Sequence, residues 1–342
     1  MRRLIWILLL AVLLTGCAAS AEPEMKQYNA TFLTLFDTVT VITGRAESQE
    51  AFTQSAQQVH DELLQYHQLF DIYNDYEGVI NLKSVNDAAG VEPVKVDARI
   101  IDLLLDCKEF YALTGGRVNV AMGSVLHLWH QARNDGLNDP VNAYLPQQEA
   151  LEAAAEHMDF DSVIIDEAAS TVFITDPLVR LDVGAVAKGW SVQRVAEICA
   201  PGLLISVGGN VCASGPKDEN GTPWVVGVTD PDGGEYLHTI YVRYPDQSNV
   251  VTSGDYQRNY AFDGRLYHHI IDPDTLYPSA YWRSVTIVCG DSGLADALST
   301  ALFLLPQAEG QAILDRCGAC AMWVDAEGNC FYSPGFEGLI RT

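Results

Sequence analysis

From Phe160 to the C-terminus the chain is written in short β-branched runs cut by Gly, Pro and Asp. Strands of that length, spaced as hairpins are, argue against a doubly wound parallel sheet. Ser284–Cys289 is the clearest strand, and helical patterns interrupt the run at Lys188–Cys199 and Leu294–Leu305. The first half is richer in helix, with amphipathic spacing over Glu50–Phe70, Asp97–Leu113 and Gln147–His157. Leu33–Thr43 reads as one strand, and Asp71–Gly90 as a polar, aromatic loop. Val118–Trp129 reads as an apolar segment broken by Gly123. The mixture predicts an α+β fold with mixed or antiparallel sheets flanked by helices.

The N-terminus carries a different message. Met1-Arg2-Arg3 is followed by an apolar run from Leu4 to Leu14, too short for a comfortable membrane span and built like a secretory signal. Leu14-Thr15-Gly16-Cys17 has the form of a lipoprotein cleavage box, small residues before a cysteine that can carry lipid. The expected organisation is a signal over residues 1–16, a lipidated tether over 17–30 and one folded domain over 31–342. Localisation is then outside the cytoplasm: lipid-anchored to the outer face of the bacterial cytoplasmic membrane, or on its periplasmic side, without spanning it.

Charge narrows the partners. A formal net charge of -25 over 342 residues leaves nothing to neutralise nucleic-acid phosphates in bulk. An anionic ligand would need local devices: a metal, a Lys or backbone N–H groups. The cysteines beyond Cys17 are scattered and odd in number, which is no disulfide framework; Cys317 and Cys320 form a CxxC pair that suits packing as well as redox chemistry.

No Walker-type loop, dinucleotide fingerprint, HExxH or GxSxG is present. Two glycine-bearing segments remain. Leu181–Trp190 reads as a strand ending at Asp182, a turn at Gly184 and a helix opening near Lys188, so a diphosphate could approach a helix N-terminus with a Lys beside it. Ile205–Asn210 reads as a strand running into a bend. Further on, Asp296 and Thr300 lie four apart on one helical face, behind Asp291-Ser292-Gly293 as N-cap chemistry. A carboxylate and a hydroxyl so placed can hold a hard cation through oxygen. The same spacing fits a capping Asp and a Thr bonded to its own backbone.

Together these pieces resemble the ApbE family of flavin transferases. Its D-x-G-G-x-A-K-G block is matched from Asp182 to Gly189, with Ala185 at the second glycine, and its G-G-[DN] block by Gly208-Gly209-Asn210. T-S-G-D-Y stands unchanged at Thr252–Tyr256. H-I-I-D-P-x-T-G-x-P runs from His269 to Pro278 with Leu276 at the glycine, and A-D-A-x-x-T from Ala295 to Thr300. The resemblance implies one compact body around a flavin cleft. It implies Mg²⁺ held by Asp296, Thr300 and the carbonyl of Ala185. It implies FAD contacts from Asp182, Lys188, Ile270 and Phe36, with Asn119 as a further candidate. Phe36-Asp37-Thr38 replaces the family's frequent Met-Gly-Thr, and Arg117-Val118-Asn119 its common Ala-Phe-Asp.

The implied reaction moves FMN from FAD, the substrate, to a Thr or Ser hydroxyl of a target protein, leaving a phosphoester and releasing AMP. The implied targets are subunits of membrane electron-transfer complexes. His269 is the candidate base, because an imidazole titrates near working pH. His268, Asp255 and Asp272 are expected to shape the cleft. An FAD pyrophosphatase giving FMN and AMP, or a non-catalytic flavin-binding lipoprotein, would use the same architecture.

Overall fold

The computed structural model describes residues 24–342; Cys17 and the signal segment lie outside the described residues. The chain begins with β1 (Lys26–Leu35) and β2 (Thr38–Ala46), an antiparallel hairpin, so residues 26–30 of the expected tether are strand. The single strand expected over Leu33–Thr43 is two. Phe36 and Asp37 take φ of 52° and 51°, the paired left-handed conformation of a tight hairpin turn. Nothing in the pattern signalled that turn, because Phe replaces the usual Asn or Gly and the apolar alternation runs on through it.

Four helices follow, α1 (Gln49–Phe70), α2 (Leu82–Asp87), α3 (Ala98–Leu113) and α4 (Gly123–Asn138), with β3 (Val94–Lys95) between α2 and α3. Ser48 caps α1, accepting from the Ala51 N–H, and Asp97 caps α3. The stretch expected as loop contains α2, closed by a capping box between Asn81 and Ser84. It is too short and polar to show helical periodicity. The apolar segment beginning at Val118 turns helical only from Gly123. After α5 (Gln148–Ala155) come β4 (Val163–Asp166), β5 (Thr171–Ile174) and α6 (Ala187–Ile198).

The remaining elements are β6 (Leu203–Val207), β7 (Asn210–Ala213), β8 (Trp224–Val228), β9 (His238–Val242), β10 (Asn249–Gly254), β11 (Tyr260–Phe262), β12 (Arg265–Tyr267) and β13 (Ser284–Cys289). Then come α7 (Ser292–Phe303), α8 (Gln307–Cys317), β14 (Cys320–Val324) and β15 (Cys330–Tyr332). One eight-stranded sheet, ordered β1-β2-β6-β7-β10-β13-β14-β15, pairs antiparallel throughout. Both faces of its centre are buried. Val285, Ile287, Ala321 and Trp323 enter the main core, while Val288, Cys320, Met322 and Val324 alternate to a second core under the β8–β9 hairpin. A third cluster, around Trp129, Leu151, Tyr260 and Leu276, joins α4 and α5 to the β11–β12 hairpin. The fold is the expected α+β body.

Helix α7 is apolar nearly all round and lies buried against α6, β10 and β13. Asp291 caps it, its carboxylate accepting from the Leu294 N–H at 2.7 Å. Close approach of α6 depends on Gly189. A Cβ there would overlap the Ser292 carbonyl oxygen and lie 2.6 Å from Asp296 Cβ. Gly189→Ala is therefore expected to destabilise the protein by about 1–3 kcal/mol, the cost of overpacking a rigid contact. Chemical denaturation measures this, and an unchanged midpoint would show that the two helices can separate freely.

Candidate functional site

A cleft of about 410 Å³ opens between the β1–β2 turn, the segment after α1, α4, the α6 N-terminus, α7 and residues 253–271. Its floor is the meeting of α6 and α7. Asp296 is buried, and its Oδ2 accepts from the Gly189 N–H at 2.9 Å and from Asn210 Nδ2 at 2.8 Å. Lys188 Nζ lies 3.7 Å from the same oxygen and donates to the Gly184 carbonyl at 3.3 Å. Burial raises the Asp296 pKa, and Lys188 with the two donors opposes the rise. Three blocks distant in sequence thus converge on one carboxylate. The hydrogen bonds to the Asp296 carboxylate among the described residues all fall on Oδ2, so Oδ1 keeps its lone pairs for a ligand. Thr300, one turn on, and Ala185 line the same cleft.

These are hard oxygen donors with a single negative charge among them, and no cluster of three or more His, Cys, Asp or Glu that could hold a metal occurs among the described residues. Such a set suits an ion that keeps waters and shares a substrate's phosphates, as magnesium does, and does not suit zinc.

Asp182 does not end a strand. Only an isolated bridge from Arg180 to Met122 precedes it; the Asp182 N–H donates to the Val120 carbonyl at 2.8 Å on that side, and Asn86 holds the other side. That side chain donates to the Leu181 carbonyl at 2.9 Å and accepts from the Leu181 N–H at 2.7 Å, doing the work of a neighbouring strand. Asp182 Oδ1 accepts from the Gly184 N–H at 2.9 Å, fixing the turn; desolvation raises its pKa against the pull of that bond and of His130, Arg258 and Lys188.

The His motif forms the opposite wall. His268 is structural as expected: Nε2 donates to the Ser279 carbonyl at 2.8 Å, and Nδ1 accepts from the Ile270 N–H at 3.2 Å. His269 is solvent-exposed where it lines the open cleft, with protein crowding its remaining sides. Desolvation first, then Arg258, His268, Lys188 and Arg133, push its pKa down from the ordinary value to about 3, so the ring is neutral at working pH. Asp272 is bound by Arg117 at 3.1 Å and Asp255 by Arg283 at 3.0 Å, both as scaffolding. The turn after Asp272 keeps its left-handed residue without the glycine: Leu276 takes φ of 63° and its side chain is buried in the third cluster.

Of the remaining candidates, Phe36 and Ile270 line the cleft. The Phe36 N–H donates to His67 Nδ1 at 3.3 Å. Asn119 is there too, but its amide is engaged by the Met158 carbonyl at 2.8 Å and the Ala121 N–H at 2.9 Å, so it shapes the wall more than it offers free groups.

The sequence reading missed Arg133, Arg258, His130 and Tyr73, which also line the cleft. Neither arginine has a carboxylate within ion-pair reach among the described residues. Arg133 Nε is a buried donor with no partner, and burial together with Arg258 draws the Arg133 pKa down. Tyr73 Oη meets His130 Nδ1 at 2.7 Å. The i, i+3 spacing of His130 and Arg133 on α4, and Arg258 just past the Thr252–Tyr256 block, were the available signals. Two neighbouring guanidiniums without carboxylate partners suit an anionic ligand, although Arg258 already donates to the Phe36 carbonyl at 3.3 Å.

The pattern of the ApbE family matches residues 36–323. The chain belongs to the ApbE family. The FAD:protein FMN transferase of Treponema pallidum is 33% identical over 279 residues, spanning 76% of this chain and 75% of that protein. One from Klebsiella pneumoniae is 26% identical over 347 residues, spanning 96% and 95%. Among solved structures, the ApbE protein of Thermotoga maritima superposes with a TM-score of 0.81 at 29% identity, covering 93% of this chain and all of the other. The flavin transferase ApbE of Vibrio cholerae, at 22% identity and a TM-score of 0.74, shares the fold. The motif-by-motif resemblance thus extends to the whole ApbE body.

The electrostatics give a direct test. Because the folded-state pKa of His269 lies below its unfolded value, its imidazole stays neutral as pH falls from 7 to 5 in the ligand-free protein. Histidine NMR should show one resonance, lost in His269→Ala, that does not titrate over that range. An ordinary titration near pH 6.5 would remove the cationic, desolvated environment from the account.

Proposed function

We propose that this chain is a magnesium-dependent FAD:protein FMN transferase. The observation that carries the reading is the convergence of Gly189, Asn210 and Lys188 on the buried Asp296 carboxylate, at the floor of a cleft whose other walls carry unpaired arginines. Asp296, Thr300 and the Ala185 carbonyl would hold the ion. When bound, Mg²⁺ offsets charge on the diphosphate oxygens.

The chain's own residues supply the rest. Lys188, Arg133 and Arg258 attract the diphosphate and orient it, and the aromatic walls at Phe36 and Tyr73 accept the flavin ring system. An acceptor Thr or Ser hydroxyl attacks the flavin-side phosphorus. Its O–H proton passes to His269, the new P–O bond forms, and the bridging P–O bond breaks with its electron pair leaving on AMP. A neutral imidazole can take that proton, and the anionic substrate beside it raises its proton affinity from the ligand-free value. Protein acceptors in membrane electron-transfer complexes, and export with lipid on Cys17, complete the proposal. No helix among the described residues is long and apolar enough to cross a membrane.

Incubation with FAD, Mg²⁺ and a Thr-bearing acceptor, read by in-gel flavin fluorescence, tests the reaction. A fluorescent acceptor is expected; AMP and free FMN with a dark acceptor would make the protein a pyrophosphatase. Asp296→Ala should cut Mg²⁺-dependent turnover at least about a hundredfold. Undiminished turnover would take Asp296 out of the metal site. His269→Ala should lower kcat by roughly 10²–10⁴ while FAD affinity changes little; an equal loss in both would make it a binding residue.

A further inference from the structure

Outside the cleft, and sharing no residue with it, the outer face of the β8–β9 hairpin carries a groove with basic side chains. Alternation places Trp224, Val226, Ile240 and Val242 in the core beneath and leaves Val225, Tyr241 and Arg243 outward. Lys217 and Arg341 complete the groove, the latter brought in by its N–H bonding to the Thr239 carbonyl at 2.8 Å. None of the three cations has a carboxylate within 4 Å among the described residues, in a chain of net charge -25. Arg243 and Arg341 are exposed, and so are the neighbouring Val225 and Tyr244.

The groove adjoins the point where the N-terminal segment joins the body. Arg45 Nη2 donates to the Met25 carbonyl at 2.8 Å, and Arg45 Nη1 lies 3.9 Å from Asp218. Asp218 belongs to the turn whose ends, Lys217 and Thr222, form one wall of the groove; the Lys217 N–H donates to the Thr222 carbonyl at 2.9 Å. Residues 18–25, even fully extended, span no more than about 30 Å from Cys17. A body tied to lipid at Cys17 therefore holds this groove within reach of the bilayer.

We propose that the Lys217–Arg243–Arg341 groove is a membrane-docking surface that takes anionic phospholipid headgroups and sets the orientation of the tethered enzyme. The proposal rests on the lipid anchor advanced above. The lipid supplies attachment, while the groove supplies direction against the general repulsion of an acidic body. Exposed Tyr and Val beside three cations suit the headgroup layer, where aromatic and basic side chains are favoured. Three basic contacts are worth on the order of a hundredfold in partitioning to an anionic surface.

The test uses the full-length lipoprotein on vesicles of phosphatidylcholine alone or with about a third phosphatidylglycerol, a fraction high enough to give a strongly negative surface. Flotation on the neutral vesicles reads the anchor. Hydrogen exchange over residues 215–228 and 238–244 reads the groove. Protection on anionic vesicles only, abolished by high salt and in the variant K217E/R243E/R341E, is expected, with transfer to a soluble acceptor unchanged in the variant. Equal exchange on both vesicle types overturns the proposal. So does protection that arises on neutral vesicles only when acceptor protein is added, which assigns the groove to an acidic protein partner. Should the chain fail to float on neutral vesicles, the anchor falls, and salt-sensitive flotation of wild type but not variant on anionic vesicles decides the groove.

Discussion

One buried carboxylate organises this molecule. Asp296 sits in the middle of α7, where a charge without partners would cost several kcal/mol. It is tolerated because a backbone N–H from α6, a side-chain amide from the start of β7 and the Lys188 ammonium all reach one of its oxygens. Each donor fixes a different piece of the cleft. Gly189 brings the helix that follows the Asp182 turn, Asn210 ties the bend after β6, and Lys188 closes back on Gly184. The requirement for a glycine at 189 follows from the same geometry, since the helices must touch for the N–H to reach. Stability and ligand chemistry thus draw on one set of contacts.

Much of this could be read from the sequence, and the reasons differ by feature. Helices α1, α3, α6 and α7 declared themselves through apolar spacing, and α7 also through Asp291 as its cap; the caps Ser48 and Asp97 emerged only with the structure. The β1–β2 turn did not, because Phe36 and Asp37 occupy a backbone region that their chemistry does not advertise. Helix α2 was hidden by its brevity, yet it carries Asn86, the stand-in for a strand beside Leu181. The blocks holding Asp182, Lys188, His269, Asp296 and Thr300 were visible as an ordered series. The arginines of the cleft were not, since Arg133 and Arg258 belong to segments with no motif of their own and meet only in three dimensions.

The distribution of charge reconciles an acidic chain with an anionic substrate. Net charge describes the far field, whereas binding is decided by what lies within a Debye length in a partly desolvated cleft. There Lys188, Arg117, Arg133 and Arg258 stand against Asp37, Asp71, Asp182 and Asp296, so the cleft lining is close to charge balance although the chain as a whole is strongly acidic. The depressed proton affinity of His269 comes first from desolvation and then from the nearby cations Arg258, Lys188 and Arg133.

Leu276 has a wider consequence. A glycine would relieve the left-handed backbone there, but it would also cut the side chain that roots the His269-bearing arm among Trp129 and the other residues of the third cluster. The Leu276 carbonyl accepts from Trp129 Nε1 at 2.9 Å, a second tie to α4. Helix α4 also carries His130 and Arg133, so both walls of the cleft are moored to one satellite of the hydrophobic interior. Partial unfolding of that satellite would release His269, His130 and Arg133 from the cleft together. Catalytic competence is therefore coupled to the cooperativity of a small peripheral unit, and a protein could lose its chemistry while its eight-stranded sheet remained intact.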